Sequence, residues 1–156
     1  MITLKHILHP TDFSEPAGQA LEYAIALCDR FGADLHALHI LPNQTVVPVG
    51  PGGFAAQPAT GLQPEYRKQA AALLDNLVSR DWERNHTIHR VTREGTAFLG
   101  IIDYAKEAEI DLIVMGTHGR GALAHMLMGS VAEKTVRKAP CPVLTVRPEG
   151  HQFVMP

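Results

Sequence analysis

Cysteine is scarce in this sequence. Cys28 and Cys141 are the only two, far apart and without CxxC spacing, which excludes a disulfide framework and a zinc knuckle. No apolar run reaches the ~18 residues of a membrane helix. Residues 1–10 lack the long apolar stretch and the small-residue cleavage site of a signal peptide. We therefore expect a soluble, cytoplasmic protein that has no membrane partner.

The sequence also lacks a marked excess of positive or of negative side chains. Fourteen Lys and Arg residues stand against sixteen Asp and Glu residues, which leaves a net charge of −2 and no basic stripe. Nucleic acid is therefore not an expected partner. Apolar residues make up 46% of the 156 positions, which is enough for an ordinary hydrophobic core. We expect one folded domain over residues 1–156.

Apolar periodicity predicts strands and helices in alternation. The predicted strands cover residues 5–9, 34–41, 87–92, 111–115 and 142–146, and the predicted helices cover residues 15–31 and 65–79, a segment after Thr96, and residues 130–138. Ser130 and Glu133 form a capping-box pair at the start of the last helix. Five strands alternating with four helices predict an α/β fold, a parallel sheet with helices on both faces and right-handed crossovers.

One segment interrupts this alternation. Residues 42–64 contain five prolines, four glycines and no charged side chain, which predicts a long loop. Loops of this length in compact domains are usually mobile covers over a site or disordered excursions. We expect one of these two here.

Two segments that follow predicted strands carry residues suited to ligand binding. Pro10-Thr11-Asp12 places a carboxylate after the first strand, and the glycine-rich turn of residues 116–121 follows the fourth. Glycines let successive backbone N–H groups converge on an anion. Gly129-Ser130 adds a hydroxyl and unpaired N–H groups at a helix N-terminus, again suited to phosphate. Together these features predict a nucleotide pocket.

Each feature also has a simpler structural explanation. Glycines after a strand often serve turn geometry alone, Asp12 can support the neighbouring helix, and Ser130 can be a plain N-cap. Two common phosphate fingerprints are rejected. The chain has no G-x-x-x-x-G-K-[ST], and its G-x-G-x-x-A string at residues 119–124 follows the fourth strand and not the first. A dinucleotide site is therefore not expected.

The combination resembles a known family. Gly116-x2-Gly119-x9-Gly129-Ser130 is similar to the G-2x-G-9x-G-[S/T] signature of the ATP-binding universal stress proteins. The opening residues 7–14 and the string over residues 113–144 look like that family as well. The resemblance covers nearly the whole chain and departs from the family mainly in the length and the Pro/Gly content of residues 42–64.

The resemblance implies a fold and a site. The fold is a Rossmann-like, adenine nucleotide alpha-hydrolase-like sheet in the strand order 3-2-1-4-5. Asp12 would hold the ribose, and main-chain groups near Ile40 and Leu41 would hold the adenine edge. The full implied set of cofactor-binding residues is Pro10, Thr11, Asp12, Ile40, Leu41, Met115, Gly116, His118, Gly119, Arg120, Gly129, Ser130 and Val131. ATP is the implied cofactor, with ADP and AMP as alternatives, and Mg or Mn would arrive with the phosphates.

The nine histidines raise the question of a metal site. His36 and His39, like His86 and His89, are three apart on predicted strands, where side chains alternate faces, so neither pair is expected to chelate. His118 in the glycine-rich turn is explained equally well as a nucleotide contact and as a loop-surface residue. We expect no metal site made of protein ligands alone.

No catalytic arrangement can be assembled from the sequence. A Ser-His-Asp or Cys-His set is not indicated, and the resemblance permits at most slow ATP hydrolysis or self-phosphorylation. The first hypothesis is a nucleotide-dependent stress-response or signalling module, in which ATP orders residues 42–64 for an unidentified protein partner. An alternative is an ATP-using enzyme of the adenine nucleotide alpha-hydrolase-like group. A member that has lost nucleotide binding is a third, against which the intact spacing from Gly116 to Ser130 counts.

The last strand predicts a homodimer. In the implied strand order, residues 142–146 lie at a sheet edge, and Val143, Leu144 and Val146 carry no charge that would discourage pairing. Two copies related by a two-fold axis could satisfy each other's free main-chain groups. The alternative is a monomer in which residues 147–156 cover the edge.

Overall fold

The strands form one parallel sheet. The computed structural model describes residues 1–42, 63–118 and 128–147. The five strands within these ranges are hydrogen-bonded in the order β3-β2-β1-β4-β5, and the four pairings given for neighbouring strands are parallel. The fold class and strand order expected from the sequence are confirmed. The predicted loop over residues 42–64 and the turn residues 119–121 lie almost wholly outside the described residues.

The described elements follow the predicted order with shifted boundaries. They are β1 (His6–Pro10), α1 (Glu15–Phe31), β2 (Asp34–Leu41), α2 (Gln63–Asp75), α3 (Arg80–Glu83), β3 (Ile88–Glu94), α4 (Ala97–Glu107), β4 (Leu112–Gly116), α5 (Ser130–Lys138) and β5 (Val143–Val146). Among described residues there are thus five helices where four were predicted. α2 begins two residues before the expected helix start at residue 65, because Pro64 is tolerated in a first helical turn.

The helix predicted over residues 65–79 ends four residues earlier than expected, and a short helix that was not predicted follows it. α2 ends at Asp75, and the short α3 begins at Arg80 with Ser79 as its N-cap, whose side chain accepts a hydrogen bond from the Trp82 N–H. Serine favours a cap over a helix interior because its hydroxyl competes for backbone groups. Apolar periodicity therefore extended the predicted helix past Asp75 and gave no sign of the separate helix that Ser79 caps.

Two further sequence predictions were wrong in detail. Ser130 does not cap α5: Gly129 is the N-cap, with extended backbone, and no side-chain capping bond is formed there. Ser130 is already the first helical residue, so its hydroxyl cannot take the capping position. Phe31, expected on the buried face of α1, is 42% exposed because the helix ends there and Gly32 turns the chain away in the left-handed conformation.

Two apolar layers flank the sheet. One layer lies against α1, α3 and the residues between α2 and α3, and it includes Ile7, Leu35 and Val114 from the strands. The other lies against α4 and α5 and includes Leu8, Leu38 and Ile113. Successive strand residues enter opposite layers because side chains alternate across a sheet. β1, β2 and β4 therefore contribute buried apolar side chains to both faces, as is typical of central parallel strands.

A row of three imidazoles interrupts the second layer. His36 is buried, with its Nε2 3.3 Å from the Nδ1 of His6, its ring stacked on His89 at 4.3 Å, and its Nδ1 2.8 Å from the Tyr104 hydroxyl. Histidine spacing within one strand does not reveal this row, because the row crosses three strands. Burial, together with the neighbouring His89 and His6, lowers the pKa of His36 to about 4.

We predict that this histidine makes the fold sensitive to acid. The unfolded chain binds a proton at His36 below pH ~6.5, while the folded chain resists protonation until about pH 4. The free energy of unfolding should therefore fall as pH falls from 6.5 to 4, by up to about 3 kcal/mol for this residue. Urea unfolding across this range measures the slope.

The matched variant is His36→Asn, whose side-chain amide can still reach the Tyr104 hydroxyl but does not titrate. Its stability at pH 7.5 gives the offset caused by the substitution itself. Between pH 6.5 and 4 its stability should decline less steeply than that of the parent protein. Identical slopes for the two proteins would show that His36 is not the acid-sensitive group.

Candidate functional site

The segment after β1 is a tight loop that carries a carboxylate. Thr11 donates its N–H to the carbonyl of Leu38, and Phe13 donates its N–H to the Thr11 hydroxyl. Asp12 Oδ1 accepts hydrogen bonds from the N–H of Ser14 at 3.0 Å and from its hydroxyl at 2.5 Å. The Ser14 hydroxyl in turn accepts from the Ala17 N–H at the start of α1. The carboxylate is thus oriented at the carboxyl end of β1.

The end of β2 presents main-chain groups next to this loop. β1 and β2 remain paired as far as Pro10 and Leu38, and Leu38 directs its carbonyl to the β1 side. Residues two apart in a parallel strand direct their main-chain groups to the same neighbour. Ile40 therefore faces the space beyond the end of β1, whereas the carbonyl of Leu41 accepts from Gly95 N–H on the β3 side.

The end of β4 packs directly on the start of α1. Gly116 is the last residue of β4, and a Cβ atom there would lie 2.9 Å from the carbonyl oxygen of Pro16 and 3.2 Å from that of His118. Both obstacles are backbone atoms, which cannot move aside as a side-chain end can. Gly116 thus brings the end of β4 against the helix that follows Asp12. Met115, beside it, is buried in the layer under α4 and α5.

The start of α5 is joined to the end of β4. Gly129 donates its N–H to the carbonyl of Thr117 at 2.7 Å, and Thr117 donates its own N–H to Val146. Thr117 is 2% exposed, and its hydroxyl lies 3.0 Å from the His118 Nδ1. Gly119 and Arg120 lie outside the described residues. Thr117 and Gly129, which lie on either side of the residues that are not described, are therefore in direct contact.

The N-terminus of α5 lies beside the hydrogen bond between Gly129 and Thr117. The first intrahelical bond runs from the Glu133 N–H to the carbonyl of Gly129. The N–H groups of Ser130, Val131 and Ala132 precede it and have no carbonyl one turn back within the helix. Ser130 and Val131 are exposed. Such a terminus carries a partial positive charge and suits an anion.

A neutral imidazole lies beneath the Asp12 loop. His9 is completely buried, its Nδ1 donates to the carbonyl of Val114 at 3.0 Å, and its Nε2 is a buried atom without a hydrogen-bond partner. Burial lowers the pKa of His9 to about 4, against the opposing effects of the Val114 bond and of Asp12. At neutral pH the ring therefore adds no charge to the site.

The structure brings most of the predicted site residues to one edge of the sheet. Pro10, Thr11 and Asp12 follow β1, Ile40 and Leu41 end β2, Met115 and Gly116 end β4, His118 follows β4, and Gly129, Ser130 and Val131 begin α5. Sequence reasoning missed Phe13, His39 and Thr117, which support this edge. Among the described residues, no group of three or more His, Cys, Asp or Glu side chains could hold a metal ion.

Comparison with known proteins gives a consistent result. The family model described as "Universal stress protein family" matches residues 3–147. Universal stress protein MJ0531 of Methanocaldococcus jannaschii is 33% identical over 147 residues, covering 92% of this chain and 82% of that protein. The solved structure of protein MJ0577 has a TM-score of 0.81 at 25% identity, covering 96% of this chain and 100% of that one.

A more distant fold match has a ligand in its structure. The universal stress protein from Archaeoglobus fulgidus in complex with dAMP matches with a TM-score of 0.62 at 22% identity, covering 93% of this chain and 98% of that one. At this identity the likeness concerns the fold.

No described helix has the length and apolar character needed to cross a membrane.

We predict that Gly116→Ala destabilises the protein. The added methyl group would press on the backbone of Pro16 and His118, and overpacking of this kind costs about 1–3 kcal/mol. Gly18→Ala in α1 is the matched control, because nothing lies within 4 Å of its Cβ position. That substitution should leave stability unchanged or raise it by up to about 1 kcal/mol. Equal denaturant midpoints for the two variants would contradict the close approach.

Proposed function

The chain belongs to the universal stress protein family, and from this premise we propose that it binds adenine nucleotides, with ATP as the working ligand. The proposed role is a nucleotide-dependent module in a stress response or in signalling. Family membership rests on the match over residues 3–147. The family relative from A. fulgidus, solved in complex with dAMP, supports the choice of an adenine nucleotide.

The observation that carries the proposal is that the end of β4 and the starts of α1 and α5 meet at Gly116. Its missing side chain lets the end of β4 lie against the first turn of α1, four residues after Asp12. The hydrogen bond from Gly129 to Thr117 brings the N-terminus of α5 to the same strand end. In doubly wound sheets, ligands bind at this edge, where the strand order reverses. Here the reversal lies between β1 and β4.

Each part of an adenine nucleotide has a matching group. The main-chain N–H and carbonyl of Ile40 offer a donor and an acceptor for the adenine edge. The Asp12 carboxylate is an acceptor for ribose hydroxyls. The N–H groups at the start of α5, with the motif residues Gly119 and Arg120, would take the phosphates. A divalent cation such as Mg or Mn would be held through the phosphates, since Mg²⁺ commonly binds with few protein ligands.

We predict that ATP binds with a micromolar dissociation constant, a binding free energy of roughly −8 kcal/mol. Calorimetric titration with Mg·ATP measures it, and Gly119→Val is the test variant. A β-branched side chain in the glycine-rich motif blocks close approach of the backbone to a phosphate, so affinity should fall at least about a hundredfold. Gly18→Ala should bind as the parent protein does.

The fold of each variant is checked by far-UV circular dichroism and by its thermal midpoint. Absence of binding heat and of any thermal shift at millimolar Mg·ATP would remove the proposed function. Unchanged affinity in a folded Gly119→Val protein would instead move the phosphate site away from the motif.

We also propose that the protein forms a homodimer through β5. The strand lies at the edge of the sheet, paired on one side with β4. Leu144 is 37% exposed there, and Val143 is partly exposed. An apolar edge strand offers unpaired main-chain groups to a second chain. A two-fold axis would let two copies of β5 pair in antiparallel fashion.

Light scattering after size exclusion tests the dimer. We expect a mass of two chains at micromolar concentration and a shift toward one chain in Leu144→Lys, because a charge on the edge strand opposes pairing. Leu73→Lys is the control, since Leu73 is similarly exposed, at 40%, but lies on α2. A parent protein with the mass of one chain would refute the dimer, and a dimer unaffected by Leu144→Lys would place the interface elsewhere.

A further inference from the structure

We propose that His39 is a positioning residue for the Asp12 carboxylate. It contacts the residues on both sides of Asp12 from the neighbouring strand, so recognition of ribose hydroxyls depends on it. The inference rests on the proposed function, in which Asp12 binds the ribose of an adenine nucleotide. His39 itself need not touch the ligand.

The first contact fixes the backbone before Asp12. The Nδ1 of His39 lies 2.7 Å from the carbonyl oxygen of Thr11. A carbonyl oxygen only accepts hydrogen bonds, so Nδ1 carries the proton and donates. The bond lies just beyond Pro10 and Leu38, the last paired residues of β1 and β2. The imidazole therefore holds the chain where the ladder between the strands has ended.

The second contact fixes the residue after Asp12. The rings of Phe13 and His39 lie with centroids 4.6 Å apart and planes inclined by 37°. Phe13 has a φ of 61°, a left-handed conformation that a bulky side chain rarely adopts. Such a conformation persists only where the surroundings determine it. The His39 ring is one of those surroundings, so it supports the turn that aims Asp12.

The carboxylate itself is oriented by a different partner. Asp12 Oδ1 accepts from the N–H and the hydroxyl of Ser14, which ties it to the start of α1. His39 acts instead from β2, through the Thr11 carbonyl and the Phe13 ring. Ser14 thus sets the rotation of the carboxylate, while His39 sets where the loop lies relative to the main chain of Ile40. A nucleotide that spans Ile40 and Asp12 would depend on that spacing.

Two substitutions separate the hydrogen bond from the ring contact. His39→Phe keeps an aromatic ring beside Phe13 but has no donor for the Thr11 carbonyl. His39→Asn removes the ring but carries an amide N–H close to the position of Nδ1. Asp12→Asn is the reference for a site whose carboxylate is lost. Circular dichroism and thermal midpoints confirm that each variant is folded.

The measurement compares ATP with 2′,3′-dideoxy-ATP, which lacks both ribose hydroxyls. In the parent protein ATP should bind at least about tenfold more tightly, as expected for hydrogen bonds to a charged group. In Asp12→Asn the ratio of the two dissociation constants should fall, because a neutral amide binds ribose hydroxyls more weakly than a carboxylate does. His39→Phe should lower that ratio in the same direction while leaving the affinity for dideoxy-ATP unchanged. His39→Asn should keep more of the ratio than His39→Phe does.

A merely structural role for His39 predicts a different pattern, in which both nucleotides lose affinity equally. That result, or the parent ratio in His39→Phe, would overturn the inference. A ratio in His39→Asn no higher than in His39→Phe would contradict the role of the Nδ1 hydrogen bond. If His39→Phe does not fold, His39→Gln takes its place with the same two outcomes, because its longer side chain carries the amide away from Thr11.

The failure of the proposed function gives a separate result. A parent protein that binds neither nucleotide refutes ATP binding as such. A parent protein that binds both equally retains nucleotide binding but refutes the ribose role of Asp12, and with it the role of His39.

Discussion

The carbonyl group of Pro16 lies where a side chain on Gly116 would begin. This contact between two backbones sets how closely the end of β4 can approach the start of α1. β1 is followed by α1, which covers one face of the sheet, and β4 is followed by α5, which covers the other face. How closely the end of β4 meets the start of α1 therefore depends on the missing side chain at Gly116.

Polar contacts hold the rest of this sheet edge in place around the contact between Gly116 and Pro16. Thr117 joins β5 and the start of α5 through its two main-chain groups, and His39 and Ser14 hold the loop that carries Asp12. These bonds lie at strand ends, where the regular ladder no longer satisfies main-chain groups. The support of the site and the termination of the sheet are therefore provided by the same residues.

The sequence predicted the architecture because periodicity and turn residues agreed along most of the chain. Five strands, their order through the family resemblance, and α1 over residues 15–31 are all confirmed. The resemblance also named residues that the fold brings to one edge. Prediction failed where a serine fits more than one position: Ser79 caps the separate helix α3 and is not the last residue of α2, and Ser130 is the first residue of α5 and not its N-cap.

Contacts between strands could not be predicted from spacing along one strand. The row of His6, His36 and His89 and the pairing of His39 with Phe13 both depend on register, which a single segment does not reveal. The left-handed backbone of Phe13 has no sequence signal of its own, since glycine or asparagine would be expected there. These residues became visible only when neighbouring strands were placed side by side.

The long stretch of chain between the paired strands β1 and β4 has a consequence for folding kinetics. Ile7 pairs with Leu112 and Leu8 with Ile113, whereas β2 pairs with β1 after a single intervening helix. The β1–β4 pair closes a loop of most of the chain, a step with a large entropic cost that slows the folding of parallel sheets. Asp12 and Gly116 come together only when that loop has closed. We therefore expect the two halves of the edge to meet late in folding, and a ligand that spans them would favour the fully folded chain by mass action.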